Sequence, residues 1–454
     1  MFLFACGFFL LWRTVESWSP SSWQTFPILQ NPQYPDNKKA SSIQQQLKKK
    51  PPLVFAGEIE MLKKHLENME NTQEGFILQG GDCAEDMDVD SSYQVERIRK
   101  LITLMTQMSL IVQLGTGKPV TRIGRIAGQY AKPRSELFEK DDNQTLTFRG
   151  HLIHTKKNRI PDPTRLLKAY EHSLTTLNIL RSFLLSGSLS LEKVQEWIQP
   201  VTQNHHLYFR FSNFIDWIHK ITLFLKHCGT SSGIYAPEFY ISHEALFLYY
   251  EEIFVKKENK TGKYYHCGSH TVWLGERTRE SPAHIEFLSG IENPIGIKIG
   301  PTTNTTSLLF LLRKLNPENK KGKIMLISRM GSSKIRDTLP LLLQDINDSE
   351  QKPSYLLLCD PCHGNTYSVE GGMKTRNLKD ILNEIFWFFE ICHEYHVFPA
   401  GIHLELTGEP VTECIGQNVS SNDLSSNYQS LVDPRLNQYQ AIETAFYLSS
   451  LIQE

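Results

Sequence analysis

The feature that most constrains the fold of this chain is a series of eight short apolar segments between residues 76 and 407, separated by stretches of helical periodicity. Each segment is rich in aliphatic or β-branched residues and is followed by polar or turn-forming residues, which is typical of buried β-strands. The predicted strands are Phe76–Gly81, Val120–Arg125, Pro237–Ser242, His270–Glu276, Pro294–Gly300, Lys323–Arg329, Tyr355–Pro361 and Gly401–Thr407.

Alternation of strands with helices predicts parallel βαβ units. Helical periodicity is found at Tyr93–Leu114, Thr303–Leu315, Ile335–Leu343, Leu378–His396 and Gln438–Ile452. Eight such strands with a terminal helix suit a (β/α)8 TIM barrel, and strands this apolar suit a sheet covered on both faces. The predicted fold class is therefore α/β, with an open doubly wound sheet as the alternative.

The long gap between the second and third predicted strands carries extra amphipathic helices at Leu166–Leu185, Leu191–Ile198 and Phe211–His227. These predict a helical insertion at about residues 160–230, suited to an oligomer or regulatory surface, in a barrel of residues 71–454. Residues 18–70, which begin with many prolines and turn formers, are predicted to form an arm and a helix that pack on the barrel.

Residues 1–17 are predicted as an apolar N-terminal extension. The segment Met1–Trp12 is shorter than the roughly 20 residues that a membrane span needs. It also lacks the basic start of a signal peptide. An extension packed on the body and an upstream start codon are both consistent with it.

The composition excludes several function classes. The chain carries 48 Lys and Arg against 49 Asp and Glu, so it has no basic footprint for nucleic acid or an anionic membrane. Its eight cysteines lie within apolar runs, which predicts a reducing, cytoplasmic setting and no disulfide scaffold. The motif Cys359-Asp360-Pro361-Cys362-His363 matches the attachment signature of c-type haem, but it ends a buried strand in a chain without a credible export signal, so that function is excluded.

Chargeable residues crowd the carboxyl ends of the predicted strands, where barrel active sites are built. A ring of buried charges implies an anionic ligand, a metal or both, and a structural ion-pair network is the alternative. The residues of the ring are Asp82, Cys83, Arg125, Glu276, Arg277, Lys298, Arg329, His363 and Glu405.

Within this set, Cys83, His363 and Glu405 come from different strand ends, and Asp433 follows the last strand. One thiolate, one imidazole and two carboxylates can hold a divalent transition metal, but this donor set does not choose among manganese, iron, cobalt and zinc. Each residue alone also has a structural interpretation, for example Cys83 as a buried thiol and His363 as a helix cap. His403 shares a strand face with Glu405 and is a candidate partner of the ligands.

The positive residues outnumber what one small anion needs. Guanidinium groups bind phosphate and carboxylate through paired hydrogen bonds, and lysine supplies a point charge or a proton. Two phosphate-bearing substrates would account for Arg125, Lys132, Arg134, Arg277, Lys298 and Arg329.

Eight sequence blocks follow these strand ends in order: GGDCAE (80–85), GRIAGQYAKPRS (124–135), WLGERTR (273–279), NPIGIKIGP (293–301), SRMG (328–331), CDPCHGNT (359–366), HLELTGEPVTECIG (403–416) and DPRLN (433–437). With the arm WSPSSW and PQYPD, they resemble the type II 3-deoxy-D-arabino-heptulosonate 7-phosphate (DAHP) synthases. The resemblance extends from about Trp18 to the end of the chain.

The resemblance implies a transferase that condenses phosphoenolpyruvate with erythrose 4-phosphate and water to give DAHP and phosphate, the first step of the shikimate pathway. It implies one divalent metal ion, with manganese expected and cobalt or another transition metal as alternatives. The implied metal ligands are Cys83, His363, Glu405 and Asp433. The implied phosphoenolpyruvate site is Arg125, Glu276, Lys298 and Arg329, with Trp273 nearby, and the implied sugar-phosphate site is Lys132, Arg134, Ser135 and Arg277.

The resemblance also suggests roles and partners. The catalytic group is expected to be Lys298, Glu276 and His363, with Glu276 positioning water and Lys298 neutralising a carboxylate or passing a proton. The expected assembly is a homo-oligomer, a dimer or tetramer, with aromatic amino acids as effectors and a chorismate mutase as a candidate partner.

The chain departs from the family pattern at three places. Cys362 stands where methionine is usual, the block after Arg279 is one residue shorter, and Gly416-Gln417 replaces a more glycine-rich run. A thiol beside His363 is expected to increase sensitivity to oxidation. The alternatives to the synthase are a silent or regulatory paralogue and a related aldolase with another aldose phosphate as acceptor. The resemblance is consistent with an enzyme of general aromatic biosynthesis and with one of a dedicated secondary pathway.

Overall fold

The computed structural model describes residues 18–139, 145–189, 205–229 and 238–452. Eight strands close into a barrel in which each strand pairs with its sequence neighbours and the last pairs back with the first. All of these pairings are parallel. The strands are β1 (Phe76–Gly81), β2 (Val120–Arg125), β3 (Phe239–Glu244), β4 (Thr271–Leu274), β5 (Ile295–Ile299), β6 (Ile324–Ser328), β7 (Leu356–Cys359) and β8 (Pro399–Glu405). The predicted (β/α)8 barrel is confirmed, and closure excludes the open sheet.

Helices surround the barrel, as expected for a parallel sheet whose two faces are both buried. The longer helices are α1 (Asn37–Lys48), α2 (Ala56–Thr72), α3 (Ser91–Thr116), α4 (Thr164–Leu185), α5 (His205–His227), α6 (Pro282–Ser289), α7 (Thr305–Leu315), α8 (Ile335–Asn347), α9 (Leu378–Glu394) and α10 (Gln438–Leu451). A one-turn helix, Leu248–Glu251, follows β3. Two small antiparallel pairs join Val255–Lys257 to Tyr264–His266 and Tyr367–Ser368 to Lys374–Thr375.

The third strand differs from its prediction in a way that affects the site. It ends at Glu244, two residues beyond the predicted end at Ser242. All six of its residues are buried, including His243 and Glu244, whose polar side chains hide the strand from a search for apolar runs. The extra residues bring a carboxyl group to the rim of the barrel.

The gap between β2 and β3 contains α4 and α5, close to two of the predicted insertion helices. The third predicted helix, Leu191–Ile198, lies outside the described residues. The domain boundaries and the assignment of this region as an insertion stay predictions.

The segment at the start of the described chain lies against the barrel helices. Trp18 donates a hydrogen bond from Nε1 to the carbonyl oxygen of Glu286 at 2.8 Å. Trp23 is buried and donates from Nε1 to Glu252 Oε2 at 3.0 Å. These indole contacts anchor the segment to the rest of the molecule.

Two further features bear on the expected setting of the chain. In the described part of the chain, no helix combines the length and apolar character needed to cross a bilayer. The seven cysteines within the described ranges are all free thiols, and six of them are buried.

Candidate functional site

A cavity of about 640 Å³ opens at the carboxyl end of the barrel. Every residue predicted to bind a substrate lines it. These residues are Arg125, Lys132, Arg134, Ser135, Trp273, Glu276, Arg277, Lys298 and Arg329, and they are joined by His363 and Asp433. Cys83 and Glu405 are fully buried behind this lining.

The four predicted metal ligands come together beside this cavity. The side-chain ligand atoms of Cys83, Glu405 and Asp433 all lie within 4.8 Å of one another. Cys83 Sγ is 3.6 Å from Asp433 Oδ2, and His363 Nε2 is 3.0 Å from Glu405 Oε1. A thiol, two carboxylates and an imidazole at these separations form a donor set that suits a divalent transition metal.

The register of the sheet explains part of this convergence. Gly81 in β1 pairs with Arg125 in β2 on one side and with Glu405 in β8 on the other. Residues at one level of neighbouring parallel strands point to the same face. Arg125 Nη2 consequently reaches Glu405 Oε1 at 2.9 Å. Gly81 has a φ of 146°, and a Cβ there would lie 2.6 Å from the carbonyl oxygen of Arg125, so only glycine fits this position.

Glu405 is the most heavily compensated charge in the site. Lys132 Nζ lies 2.9 Å from its Oε1, and Arg376 Nη2 lies 2.6 Å from its Oε2. Burial alone raises the pKa of this carboxyl, but His363, Lys132, Arg376 and Arg125 outweigh burial and hold the pKa well below its usual range. Glu405 is therefore a permanent carboxylate.

Lys132 lines the cavity and also contacts two of the predicted metal ligands. Its ammonium group lies 3.6 Å from Asp433 Oδ2 in addition to its contact with Glu405. Asp433 also accepts a hydrogen bond from Lys374 Nζ at 2.7 Å. The sequence analysis placed Lys132 only with the substrate residues, whereas in the structure it also contacts the predicted metal ligands Glu405 and Asp433.

Burial is the main influence on the pKa of the Cys83 thiol. Burial raises this pKa, and the neighbouring carboxylate of Glu405 raises the pKa further. A thiolate at this position therefore requires additional positive charge beside the sulfur. A second cysteine, Cys362, accepts a hydrogen bond at Sγ from the backbone N–H of Glu405 at 3.3 Å, so the cysteine that replaces the usual methionine contacts a predicted ligand.

Asp360 joins two functional side chains that the sequence analysis treated separately. Its Oδ2 lies 2.7 Å from His363 Nδ1 and also contacts Lys298 Nζ. Since the carboxylate accepts from Nδ1, the Nε2 atom of His363 is left to face Glu405. Burial lowers the pKa of Lys298 to about 8, against the opposing effect of Asp360.

A second polar row runs from Arg125, which lines the cavity, through His403 to Gln79. The guanidinium of Arg125 lies 5.2 Å from the centre of the Trp273 ring, and Arg125 Nη1 is 2.5 Å from His403 Nε2. Because a guanidinium only donates, His403 is neutral with its proton on Nδ1, which donates to Gln79 Oε1 at 2.8 Å. Burial holds the pKa of His403 well below its usual value. His403 therefore orients Arg125.

Two further pairs line the cavity. Arg329 contacts Glu276 through an ion pair and donates from Nη2 to the carbonyl oxygen of His363 at 3.1 Å. Arg277 donates from Nε and Nη2 to Ser135 Oγ at 3.0 and 2.8 Å. Each pair joins residues from two different loops. The pairs therefore hold the guanidinium groups of Arg329 and Arg277 in place beside the cavity.

Sequence reasoning missed four residues of the site. Asp360, like Asp82, is an acid directly after a buried strand, so the sequence does offer a signal for it. Glu244 lines the cavity, its Oε1 has no hydrogen-bond partner among the described residues, and burial raises its pKa. Gln30 pairs with the backbone of Arg134 through two hydrogen bonds of 3.0 Å.

The fourth missed residue, Arg376, is fully buried in the loop after β7. Besides Glu405, it contacts the carbonyl oxygen of Pro434 and donates from Nε to Thr366 Oγ1 at 2.9 Å. Gln30 and Arg376 lie in irregular segments, where no periodicity or strand end marks a functional position.

Comparison with known proteins adds independent support. A family model described as the class-II DAHP synthetase family matches residues 18–449. A Streptomyces coelicolor protein named phospho-2-dehydro-3-deoxyheptonate aldolase is 40% identical over 448 residues, which cover 96% of this chain and 98% of that protein. A Neurospora crassa protein of the same name is 39% identical over 455 residues, with 95% and 94% covered.

A third relative, from Mycolicibacterium smegmatis, is named phospho-2-dehydro-3-deoxyheptonate aldolase AroG. It is 36% identical over 441 residues, which cover 94% of this chain and 93% of that protein. The family match and the three relatives each extend over nearly the whole chain, so the similarity includes the barrel and every segment that lines the cavity. This chain belongs to the class-II DAHP synthetase family, a family of enzymes.

Proposed function

We propose that this protein catalyses the metal-dependent condensation of phosphoenolpyruvate with erythrose 4-phosphate and water to give DAHP and inorganic phosphate, the entry reaction of the shikimate pathway. The observation that carries the proposal is that the implied substrate-binding residues line one cavity, with the four implied metal ligands close together beside it. The names of the relatives agree with this activity.

The donor set fits a divalent metal ion. Cys83, Glu405 and Asp433 offer one sulfur and two oxygen ligands within 4.8 Å, and His363 presents Nε2 beside them. These four residues would hold manganese or a similar ion. When bound, the ion would supply Lewis acidity to the aldehyde oxygen of the sugar phosphate.

At the phosphoenolpyruvate end, Arg125, Lys298 and Arg329 supply three positive charges for a carboxylate and a phosphate. Lys298 and Arg125 are buried, where charge-assisted hydrogen bonds to an anion are stronger than in water. Glu276, paired with Arg329, is placed to hold the water that adds to the carbon bearing phosphate. At the other end, Arg134, Ser135 and Arg277 form the binding site for the phosphate of the sugar.

The covalent change is simple in outline. The enol carbon of phosphoenolpyruvate forms a bond to the aldehyde carbon, the aldehyde oxygen gains a proton, water adds at the carbon bearing phosphate, and phosphate leaves. Holding two anions at attack distance supplies much of the rate. Glu244, a cavity carboxyl whose pKa burial raises, adds a group suited to moving a proton at this centre.

Further expectations belong to the same proposal. A biosynthetic enzyme of this class would act in the cytoplasm as a dimer or tetramer, with aromatic amino acids as effectors and a chorismate mutase as partner. The insertion helices α4 and α5 and the arm are the segments suited to these contacts.

The test is release of inorganic phosphate from phosphoenolpyruvate by chelator-treated protein, with and without erythrose 4-phosphate and with manganese or cobalt restored. Release that requires both the sugar phosphate and the metal is expected. The variant Cys83→Ala tests the metal site directly, because it should lose metal binding and activity together. Absence of release from folded, reduced, metal-loaded protein would sink the proposal, and trials with other aldose phosphates would then separate an altered acceptor from a silent paralogue.

A further inference from the structure

A smaller cavity of about 210 Å³ adjoins the main one at its sugar-phosphate end. The two share Arg134, Glu139, Lys374 and Val432 as common walls. The remaining lining of the smaller cavity consists of Phe148, Lys156, Arg159 and Leu431. We call this space the side cavity. None of the residues that line it alone is used by the proposed reaction.

The side cavity is strongly cationic. Four of its eight lining residues are lysine or arginine, and Glu139 is the carboxylate among them. Glu139 is already engaged, because its Oε1 accepts from the backbone N–H of Phe148 at 2.8 Å and its Oε2 lies 3.7 Å from Arg134 Nη2. Lys374 is paired with Asp433. Among the described residues, Arg159 has only the negative charge of Glu139 near it, which it shares with Arg134, so the lining of the side cavity keeps an excess of positive charge.

Arg159 carries the clearest sign of a missing partner. Its guanidinium is stacked on Phe148, 4.8 Å from the ring centre, which fixes the plane of the group. Its Nε and Nη1 atoms are buried and have no hydrogen-bond acceptor among the described residues. Burial lowers the pKa of Arg159. Buried donors without acceptors are unfavourable, and each of these two N–H groups can donate a charge-assisted hydrogen bond to an anionic oxygen.

We propose that Arg159 and Lys156, with Arg134 as a shared wall, form a second phosphate-binding subsite beside the sugar-phosphate end of the active site. Its ligand is a phosphate dianion, either the phosphate of a phosphomonoester or free inorganic phosphate. The identity of that ligand rests on the proposed function, in which both substrates carry phosphate and one product is phosphate. The existence of the subsite does not rest on it.

The first test is calorimetric titration of the full-length protein with inorganic phosphate, which requires no turnover. Arg159→Gln is expected to raise the dissociation constant for one phosphate equivalent about tenfold, as loss of a charge-assisted contact implies. Lys156→Gln is expected to raise it by a few fold. The matched control is Lys157→Gln, because Lys157 is exposed and adjacent in sequence but does not line the side cavity; it should titrate as the wild type does.

Kinetics then identify the source of the phosphate. A raised KM for the sugar phosphate in Arg159→Gln, with kcat retained, would assign the subsite to the substrate phosphomonoester. Weaker product inhibition by inorganic phosphate, with an unchanged KM, would assign it to the leaving phosphate.

Wild-type phosphate binding in both Arg159→Gln and Lys156→Gln would overturn the proposal. If Arg159→Gln fails to fold, Lys156→Gln still decides, because Lys156 is exposed and its replacement does not disturb a packed core. If the wild type binds phosphate but forms no DAHP, the proposed function fails while the subsite stands.

Discussion

The two ends of the barrel bury lysines in opposite ways. Lys298, at the carboxyl end, contacts the carboxylate of Asp360. Lys323, just before β6 at the other end, donates to the carbonyl oxygens of Ile291 and Asn293 at 2.5 and 2.7 Å. Burial lowers both pKa values, to about 8 for Lys298 and about 7 for Lys323.

The two lysines differ in whether their hydrogen-bond partners are themselves fully paired. The carbonyl partners of Lys323 belong to one connecting loop, where Asn293 also donates to the carbonyl oxygens of His266 and Ser269, both at 3.0 Å. These polar groups satisfy one another and leave nothing for a ligand. At the rim, Asp360 connects Lys298 to His363, and Glu244 keeps a carboxyl oxygen without a partner among the described residues. A buried charge therefore indicates function where its network remains open, and stability where the network is complete.

The largest effect expected at the rim is that of Glu405→Gln. It removes the charge that compensates Arg125, Lys132 and Arg376, and kcat/KM should fall more than about 100-fold, beyond the range for a group that only orients a ligand. Metal content and steady-state kinetics measure the change. The control at the opposite end is Glu292→Gln, which breaks an ion pair with Lys63 and should alter kcat/KM less than about twofold. Near-normal activity in Glu405→Gln would remove the distinction between the two ends.

Asp360→Asn is expected to have the next largest effect. The amide keeps the shape of the side chain but no longer provides a carboxylate for His363 Nδ1, so kcat/KM should fall about 10- to 100-fold with a matching loss of metal affinity. Competition with a chelator measures the affinity. Unchanged metal affinity together with a raised KM for phosphoenolpyruvate would show that Asp360 acts mainly through Lys298.

The variant Lys323→Met tests the opposite end of the barrel, where we expect an effect on stability and not on activity. It leaves two buried carbonyl oxygens without a donor and should lower the free energy of unfolding by about 1–3 kcal/mol, with kcat/KM unchanged. Denaturant unfolding measures this. The paired variant, Lys298→Met, should reduce activity at least tenfold with a smaller change in stability than in activity. A reversal of these two outcomes would contradict the assignment of the two ends.

Lys323 should also make the stability depend on pH. Because the pKa of Lys323 is lowered in the folded state to about 7 and is about 10.4 in the unfolded chain, the unfolded state binds more protons between these values. Stability should therefore rise with pH across this window, by at most about 1.4 kcal/mol per pH unit from this group. Lys323→Met should flatten that rise. Parallel pH curves for the variant and the wild type would show that the carbonyl oxygens keep the ammonium group charged.

The barrel was predictable because its strands are buried on both faces, which leaves continuous apolar runs in the sequence. The rim residues were predictable for a related reason, since Cys83, Arg125 and His363 lie at or just after strand ends. Glu244 was missed because β3 ends in polar residues, and a boundary error of two residues moved it outside the predicted strand.

Other parts of the site have no local signal in the sequence. Gln30 and Arg376 act from irregular segments, and their contacts with the loops of Arg134 and Pro434 depend on tertiary structure. The convergence of the four predicted ligands came from the family resemblance, because residue spacing gives no distance between separate loops. Neither source suggested the side cavity, which became visible only from the unpartnered donors of Arg159.

The pairing of the first strand with the last also has a consequence for biogenesis. Cys83 and Asp433, whose side chains lie 3.6 Å apart, are separated by 350 positions in the sequence. At ribosomal speeds of about 5–20 residues per second, Cys83 is synthesised roughly 20–70 s before Asp433. The four donors of the proposed metal site can therefore come together only after translation has passed Asp433 and the barrel has closed.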